Sequence, residues 1–355
     1  MTMEKGASVT DIKPGQKVKG LFCVASKSLR TAKNGSPFLT LTLIDKTGNI
    51  EARIWDNAAA LNTEFEKGDI LLVEAEATEF SGRCQLKINR FEKARHDEVD
   101  PVHFLPVSPF DLEKAWRTCK KAMDELRDGT LAPLVKGIFR NRDTRDAFLK
   151  APAAKKMHHA YIGGLLEHTA SLVELTRQVV KKYSHLDIDL LLSGCLLHDL
   201  GKIRELSWSR PPIDYTDQGR LLGHISLGVQ MVDQACMDLG IRPESERVCA
   251  LKHIILSHHG QREFGSPVLP MTEEALVFHM LDDLDAKLNF LAGLKDSMEA
   301  GQGHSWSGYQ HLFERYFYLL PRNERAKGPE GPPSEEREEA RQQPVQPSLW
   351  EMDES

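Results

Sequence analysis

The sequence contains little cysteine and has no long apolar run. Its six cysteines are scattered and form no CxxC pair, so neither a zinc knuckle nor a disulfide framework is indicated. The longest apolar stretch, near residues 190–197, is broken by Ser193 and Gly194 and is far shorter than the roughly 20 apolar residues of a membrane span. The first residues lack the apolar segment of a secretory signal. These absences predict a cytoplasmic protein that makes no membrane contact.

Charge is distributed unevenly along the 355 residues. The whole chain has a formal net charge of -6, yet residues 11–95 contain 14 lysines and arginines against 11 acidic residues. This asymmetry indicates that the N-terminal part meets polyanions, while the acidic remainder could hold cations. The length and the 41% hydrophobic content together predict two folded domains of ordinary size.

The N-terminal part has the pattern of a small β-barrel. Strand formers with partial alternation predict five strands, at 17–26, 38–45, 49–55, 69–78 and 84–91. Tight turns separate several of them, and a short helix is predicted at 57–65, between the third and fourth strands. Five strands with a helix at this point predict an OB-like barrel over residues 11–95, expected to bind nucleic acid.

The rest of the chain is predicted to be helical. Residues 96–110 are rich in proline and acid and form the predicted linker. Apolar spacing over residues 111–320 predicts an all-α domain with helices at 111–127, 162–183, 187–198, 223–239, 243–257, 272–291 and 307–319. Residues 322–355 hold too little apolar content to fold and are predicted to be disordered. The expected fold class is multidomain α and β, with the barrel preceding the helical domain.

Histidine and aspartate residues recur at wide intervals through the helical half. Imidazole and carboxylate ligands suit divalent manganese, iron, cobalt or magnesium, whereas a structural zinc site would be richer in thiolates. Tertiary packing must bring such ligands together, so the pattern predicts a metal cage built on helices. The candidates are His168 in GGLLEHT, His198 and Asp199 in LLHDLGK, His224 in LLGHI, His258 and His259 in ILSHHG, and Asp282 in HMLDDLDAK.

Two further residues lie close to the histidine–aspartate pair. Lys202 follows Asp199 by three residues, so on a continuing helix it faces the metal side and could contact a phosphate. Gly201 is expected to let a substrate approach the backbone. Asp199 and Lys202 are therefore the candidate catalytic residues.

The order of these residues resembles that of the HD superfamily, whose pattern is H, then HD, then a later D. The resemblance implies that one ion is held by His168, His198, Asp199 and Asp282. Asp282 is preferred to Asp283 because it fits the D-x-L-D-A run of the family.

The additional histidines resemble those of the two-metal members of the superfamily. In those members' pattern, Asp199 would bridge to a second ion held by His224 and by either His258 or His259, two residues between which the sequence does not decide. Two divalent ions, manganese first and iron, cobalt or magnesium as alternatives, would suit phosphodiester hydrolysis because they activate water and stabilise both the entering and the departing oxygen.

An OB-like stretch followed by this cluster resembles the YhaM type of 3'-to-5' exoribonuclease, over roughly residues 10–320. The matching stretches are RTAKNGSPFL, IEARIWD, HHAYIGGLLEHT, LLHDLGKIRELS, IDYTDQGRLLGHI, ILSHHGQREFGSP and LDDLDAK. The resemblance implies a metal-dependent hydrolase that degrades single-stranded RNA to nucleoside monophosphates, with single-stranded DNA as a further candidate substrate.

Two alternatives stay open, a phosphohydrolase of small nucleotides and a nucleic-acid-binding protein with an inactive HD domain. The neighbouring HD-GYP branch is disfavoured because GQREFGSPV after His259 lacks the GYP element. A homo-oligomer is compatible with the sequence, which does not predict one.

Aromatic and basic side chains of the barrel are the candidate nucleic-acid contacts. Aromatic rings can stack on bases while basic groups follow the phosphates. A small barrel also needs interior side chains, so a core role stays open for each aromatic. The candidates are Phe38 and Trp55 for stacking, with Phe80 and Phe91 also considered, and Arg30, Lys33, Arg53, Arg83 and Lys87 for phosphates.

Overall fold

A computed structural model describes most of the chain. The described residues are 3–32, 34–80, 82–95, 98–99, 103–105, 108, 110–155, 161–208, 211–299 and 305–320, with the side chains of residues 83, 297 and 299 excepted. Lys33 and the predicted disordered tail 322–355 lie outside these residues. One compact unit spans Met1–Leu291 and a second spans Ala292–Ser355.

Five strands form a closed barrel, in which the fifth strand lies between the third and the fourth. Side chains alternate between the interior and the surface, and Leu39, Leu41 and Leu43 of the second strand are fully buried. The predicted OB-like barrel is therefore confirmed. The elements are β1 (Lys17–Thr31), β2 (Pro37–Asp45), β3 (Gly48–Ile54), α1 (Ala58–Leu61), β4 (Ile70–Phe80) and β5 (Arg83–Lys93).

A bundle of helices follows the barrel. Asp111 and Asp187 begin the first and fifth helices of this bundle, where their carboxylates accept hydrogen bonds from the free backbone N–H groups of the first turn. None of the described helices has both the length and the apolar character needed to cross a membrane. The helices are α2 (Leu112–Glu125), α3 (Leu131–Arg140), α4 (Arg142–Lys150), α5 (Gly164–Lys182), α6 (Ile188–Leu197), α7 (Lys202–Glu205), α8 (Asp217–Leu239), α9 (Glu246–Ser257) and α10 (Glu273–Glu299).

Small elements connect the larger helices of the bundle. A two-stranded sheet, β6 (Leu206–Ser207) with β7 (Asp214–Tyr215), stands between α7 and α8. Helices α3 and α4 were not predicted, because charged residues at 140–146 obscure the apolar spacing of this stretch. Both bury apolar residues, including Leu134 and Phe148, in the core of the helical half.

The prediction of a helix at 307–319 is wrong. In the second unit, isolated bridges pair Trp306 with Tyr318 and Gln310 with Arg315, so this segment folds back on itself. Tyrosine and phenylalanine favour extended backbone over helix, and Gly308 weakens a helix at its start. Local β-preference therefore outweighs the apolar spacing that suggested a helix.

The barrel core gives a direct test of the fold. Leu41→Ala empties a fully buried position and should destabilise the protein by about 2–5 kcal/mol, since both the transfer energy and a cavity contribute. Leu29→Ala, on β1 with 46% of the side chain exposed, is the matched control and should change stability by about 0.5 kcal/mol or less. Urea unfolding followed by circular dichroism compares the two, and equal midpoints would contradict the placement of Leu41.

Candidate metal centre

The candidate ligands come from the ends and inner faces of five helices. His198 follows the last residue of α6, and His258 follows the last residue of α9. His224 lies in α8 directly after Gly223, where a positive φ of 71° kinks the helix. His168 and Asp282 lie within α5 and α10. Because these helices converge, residues up to 114 positions apart in the chain come into contact.

The side chains form two groups that could each hold a metal ion. His168, His198 and Asp282 form one group, and His224, His258 and His259 form the other. Within each group the candidate donor atoms all lie within 4.8 Å of one another. The structure brings together every ligand expected from the sequence, and it places His258 and His259 in the same group.

Asp199 lies between the two groups. One of its carboxylate oxygens, Oδ2, is 3.3 Å from Nε2 of His198. The other, Oδ1, is 3.4 Å from Nε2 of His224 and 3.7 Å from Nε2 of His258. A carboxylate in this position presents one oxygen to each group, which is the geometry that a bridging ligand requires.

Several of these buried atoms have no hydrogen-bond partner. Within the described part of the chain, this holds for Nε2 of His198, His224 and His258 and for Oδ1 of Asp199. Each unsatisfied buried polar atom costs about 1–3 kcal/mol. Four such atoms pointing toward one another fit a site for divalent cations, because coordination satisfies all of them together.

Backbone carbonyls orient three of the histidines through the ring nitrogen that faces away from the groups. Nδ1 of His258 donates to the Ile255 carbonyl at 2.8 Å, and Nδ1 of His259 donates to the Phe264 carbonyl at 2.7 Å. Nδ1 of His198 donates to the Cys195 carbonyl at 3.2 Å, within the last turn of α6. These bonds fix the tautomer, so Nε2 carries the free lone pair that a metal binds.

Carboxylates orient the other two histidines. Oε1 of Glu205 accepts from both Nδ1 and the backbone N–H of His224, at 3.0 and 2.9 Å. Asp285 accepts from Nδ1 of His168 at 2.7 Å, and Oδ1 of Asp282 lies 3.0 Å from Nε2 of the same ring. Glu205 was missed from the sequence, because nothing in LLHDLGKIRELS distinguishes it from a surface glutamate.

The proton affinities of the histidines follow from these contacts. Burial lowers the pKa of His168, but hydrogen bonds to Asp282 and Asp285 outweigh burial and raise this pKa to about 10. Burial, and then the charges of neighbouring imidazoles, lower the pKa of His258 well below its usual range and also lower that of His259. The latter two rings are therefore neutral at physiological pH, which is the form that binds a metal.

Lys202 lies against Asp199, with Nζ 2.6 Å from Oδ2. Burial raises the pKa of Asp199, but the charges of Lys202 and His198 outweigh burial and hold this pKa well below its usual range. The helix does not continue as the sequence suggested, because α6 ends at Leu197 and a separate short helix begins at Lys202. The lysine nevertheless faces the metal side.

The interpretation of Gly201 as an opening for substrate is wrong. A Cβ atom at this position would lie 1.9 Å from the backbone oxygen of His224 and 2.7 Å from the backbone nitrogen of Gly228. The missing side chain thus lets α8 pack directly against the start of α7. This close approach brings His224 within reach of Asp199.

The nucleic-acid candidates line the outer surface of the barrel. A groove of about 740 Å³ is lined by residues that include Arg30, Arg53 and Phe80. Phe38 and Trp55 stack with ring centroids 4.7 Å apart, and the Arg53 guanidinium lies 5.0–5.9 Å from these two rings and that of Phe80. We call this surface, with its stacked rings, the barrel groove.

The other candidates divide between surface and core. Lys87 is exposed on β5 and is paired in register with Arg53. Arg83 begins β5, but its side chain is not among those described. Phe91 packs edge-on against Phe65 at 5.0 Å and contacts the barrel core, so of the two roles left open for it the core role is favoured.

Two family models match the two halves of the fold. Residues 165–287 match the HD domain, and residues 23–94 match the OB-fold nucleic acid binding domain. The class of protein is thus an OB-fold domain joined to a helical HD domain. Among solved structures, the second OB-fold domain of replication protein A from Methanococcus maripaludis aligns at 20% identity over 25% of this chain and 94% of that one, with a TM-score of 0.22.

Full-length relatives identify the family. The chain is 35% identical over 301 residues to the 3'-5' exoribonuclease YhaM of Bacillus subtilis, covering 84% of this chain and 94% of the relative. It is also 35% identical over 291 residues to that of Halalkalibacterium halodurans, covering 81% and 89%. The chain belongs to the YhaM family, and the resemblance seen in the sequence is confirmed.

The packing at Gly201 provides a test of how the centre is assembled. Gly201→Ala should push α8 away and displace His224. The purified protein should therefore retain less metal after dialysis against an excess of metal-free buffer. Gly228→Ala is the matched control on the opposing helix, because an added Cβ meets its nearest neighbour there at 3.6 Å. Elemental analysis measures the bound metal, and equal retention by both variants would contradict this role of Gly201.

Proposed function

We propose that this chain is a metal-dependent 3'-to-5' exoribonuclease that hydrolyses single-stranded RNA to nucleoside monophosphates. The observation that carries the proposal is the position of Asp199 between two histidine-containing groups whose buried donor atoms lack partners. The relatives named above are 3'-5' exoribonucleases, and the chain covers 94% of one of them. A complete ligand set also argues against an inactive HD domain.

Each group has a role in holding the two ions. His168, His198 and Asp282 would hold one ion, His224 with His258 and His259 the other, and Asp199 would bridge them. When bound, two divalent ions supply an activated water and stabilise the charge on the attacking and leaving oxygens of a phosphodiester. Manganese is our first expectation, with iron, cobalt or magnesium as alternatives, because the ligands are imidazoles and carboxylates.

The chain's own residues position the reacting phosphate. Lys202 has its ammonium group at the Asp199 carboxylate, where it can also pair with a non-bridging phosphate oxygen. Glu205 and Asp285 keep His224 and His168 in place by accepting from their Nδ1 atoms. These carboxylates therefore act as positioning residues, since they contact ligands and not substrate.

In our proposal the barrel binds the RNA and the helical half hydrolyses it. We assign residues 11–95 to RNA binding, 96–110 to the linker and 111–320 to hydrolysis. The barrel groove combines aromatic rings with arginines, a combination typical of single-strand binding without strong sequence preference. A hydrolase of small nucleotides would have no use for such a groove, so RNA is the favoured substrate, with single-stranded DNA as a further candidate.

Two adjacent aspartates allow a sharp test of the metal centre. Asp282→Asn removes the carboxylate that lies 3.0 Å from His168, and it should lower turnover of a 5'-labelled oligoribonucleotide by at least about 100-fold. Asp283→Asn is the control, because the side chain of Asp283 is 40% exposed and pairs with Lys287 instead. Release of nucleoside monophosphates at saturating Mn²⁺ provides the measurement.

The labelling pattern separates the possible outcomes of this assay. A 3'-to-5' enzyme shortens a 5'-labelled oligonucleotide progressively, whereas a 3'-labelled one loses its label as a monophosphate in the first step. If Asp282→Asn kept the activity of Asp283→Asn, the assignment of the ligands would be wrong. If wild-type protein cleaved only free nucleotides, the exoribonuclease function would be wrong.

The barrel groove makes a second prediction about substrate binding. Phe80 is 56% exposed in the groove, and Phe80→Ala should raise KM for a long oligoribonucleotide about 5- to 150-fold, since stacking on one base contributes about 1–3 kcal/mol. Phe110→Ala removes an aromatic ring that is 61% exposed outside the groove and serves as the control. The same KM for both variants would exclude base stacking at Phe80.

A further inference from the structure

Basic side chains meet where the barrel contacts the helical half. Lys67 from the barrel and Lys155 and Arg220 from the helical half all contact the carboxylate of Asp214 on β7, with the arginine at 3.1 Å. Tyr215 follows Asp214. We call these five residues the basic seam.

The basic seam holds more positive charge than its own carboxylate can neutralise. Three cations face Asp214, whose pKa is lowered because hydrogen bonds from Lys155 and Lys67 outweigh the opposing effect of burial. The nearby Asp69 is already paired with Lys93 at 2.7 Å. Among these described side chains, two positive charges are therefore left for an anionic ligand.

The shape of the basic seam suits a nucleotide. A cavity of about 300 Å³ lies between the turn at Gly68 and residues of the β6–β7 region. Tyr215, with 40% of its surface exposed, borders this cavity together with Lys67 and Asp214. The charged groups of Lys155 and Arg220 lie over its ring, 5.4 and 5.8 Å from the ring centre. An aromatic face flanked by cations can bind a base and its adjacent phosphates together.

The basic seam is connected to the metal centre through Thr216 and Glu205. The backbone N–H of Thr216, next to Tyr215, donates to the carbonyl of Glu205 at 2.9 Å. The carboxylate of Glu205 holds His224. Arg220 precedes His224 by four residues on α8, so it stands about one turn before the ligand, ahead of the kink.

The basic seam also continues the path from the barrel groove. Strand β4 has Phe80 of the groove at one end and follows Asp69, which borders the cavity of the basic seam, at the other. Its eleven residues span roughly 35 Å at about 3.3 Å per residue. An RNA strand that leaves the groove along β4 can therefore reach the basic seam.

We propose that the basic seam is a second RNA-binding site, which holds phosphodiesters of the substrate strand between the barrel groove and the metal centre and stacks one base on Tyr215. This inference rests on the proposed exoribonuclease function. The competing explanation is that the ion pairs only join the barrel to the helices. The two explanations make opposite predictions for Asp214.

Asp214→Asn distinguishes them by the sign of its effect. In an RNA-binding site, loss of this carboxylate frees a further positive charge, so KM for a long oligoribonucleotide should fall several-fold and its salt dependence should become steeper. If the carboxylate only joins the two parts, its loss should raise KM. The full-length, metal-loaded protein is used, with kcat/KM measured between 50 and 200 mM salt.

Arg220→Gln keeps the test valid if the Asp214 variant does not fold, because the Arg220 side chain is 59% exposed. Removing one phosphate contact should raise KM several-fold and lower the slope of log kcat/KM against log salt by about 0.7, the value for one contact with a single strand. Arg117→Gln is the matched control, since Arg117 is 65% exposed on α2 and its loss changes the net charge equally.

The outcomes separate this proposal from the function on which it rests. A lower slope for Arg220→Gln than for Arg117→Gln, together with a lower KM for Asp214→Asn, supports the second RNA-binding site. Equal slopes for the two arginine variants, or a raised KM for Asp214→Asn, overturn it while wild-type exoribonuclease activity stands. Wild-type protein that hydrolyses bis(4-nitrophenyl) phosphate but does not degrade RNA would overturn both.

Discussion

The buried carboxylate of Asp199 is the constraint on which the rest of the helical half depends. A charge in the protein interior is costly unless cations or hydrogen bonds compensate for it, and Asp199 is only 3% exposed. Lys202 compensates one oxygen, while the other faces His224 and His258 without a hydrogen bond. The surrounding helices therefore have to present cation-binding groups at this point, and their ends converge there.

Sequence patterns predicted which side chains come together at the candidate metal centre better than the way in which those side chains are held. His198 and Asp199 stand in a short signature, and the apolar spacing around them places each ligand on a helix or at its end. Glu205 gave no such signal, because its contact with His224 exists only once α7 and α8 pack together. Gly201 was assigned to substrate for the same reason, since its neighbours in space lie more than twenty positions away in the chain.

The fold shows a similar division between local and distant information. The strands of the barrel were predicted because alternation and turns are local properties, and only their bounds changed. The segment 307–319 was misassigned because apolar spacing alone cannot separate a helix from a chain that folds back on itself. The basic seam could not be predicted, since Lys67 and Asp214 are 147 positions apart and neither belongs to a motif.

The charges at the metal centre favour binding of divalent ions before binding of RNA. Asp199, Asp282, Asp285 and Glu205 surround the two groups, and Lys202 is the cation paired there with Asp199. Without divalent ions this concentration of carboxylates repels a phosphodiester, and the net charge of -6 over the whole chain adds to the repulsion. Two divalent ions would contribute four positive charges and reverse the local sign. In our proposal the metal-loaded centre would therefore be the form that admits the 3' end of an RNA strand, while the barrel groove and the basic seam would hold that strand with or without metal.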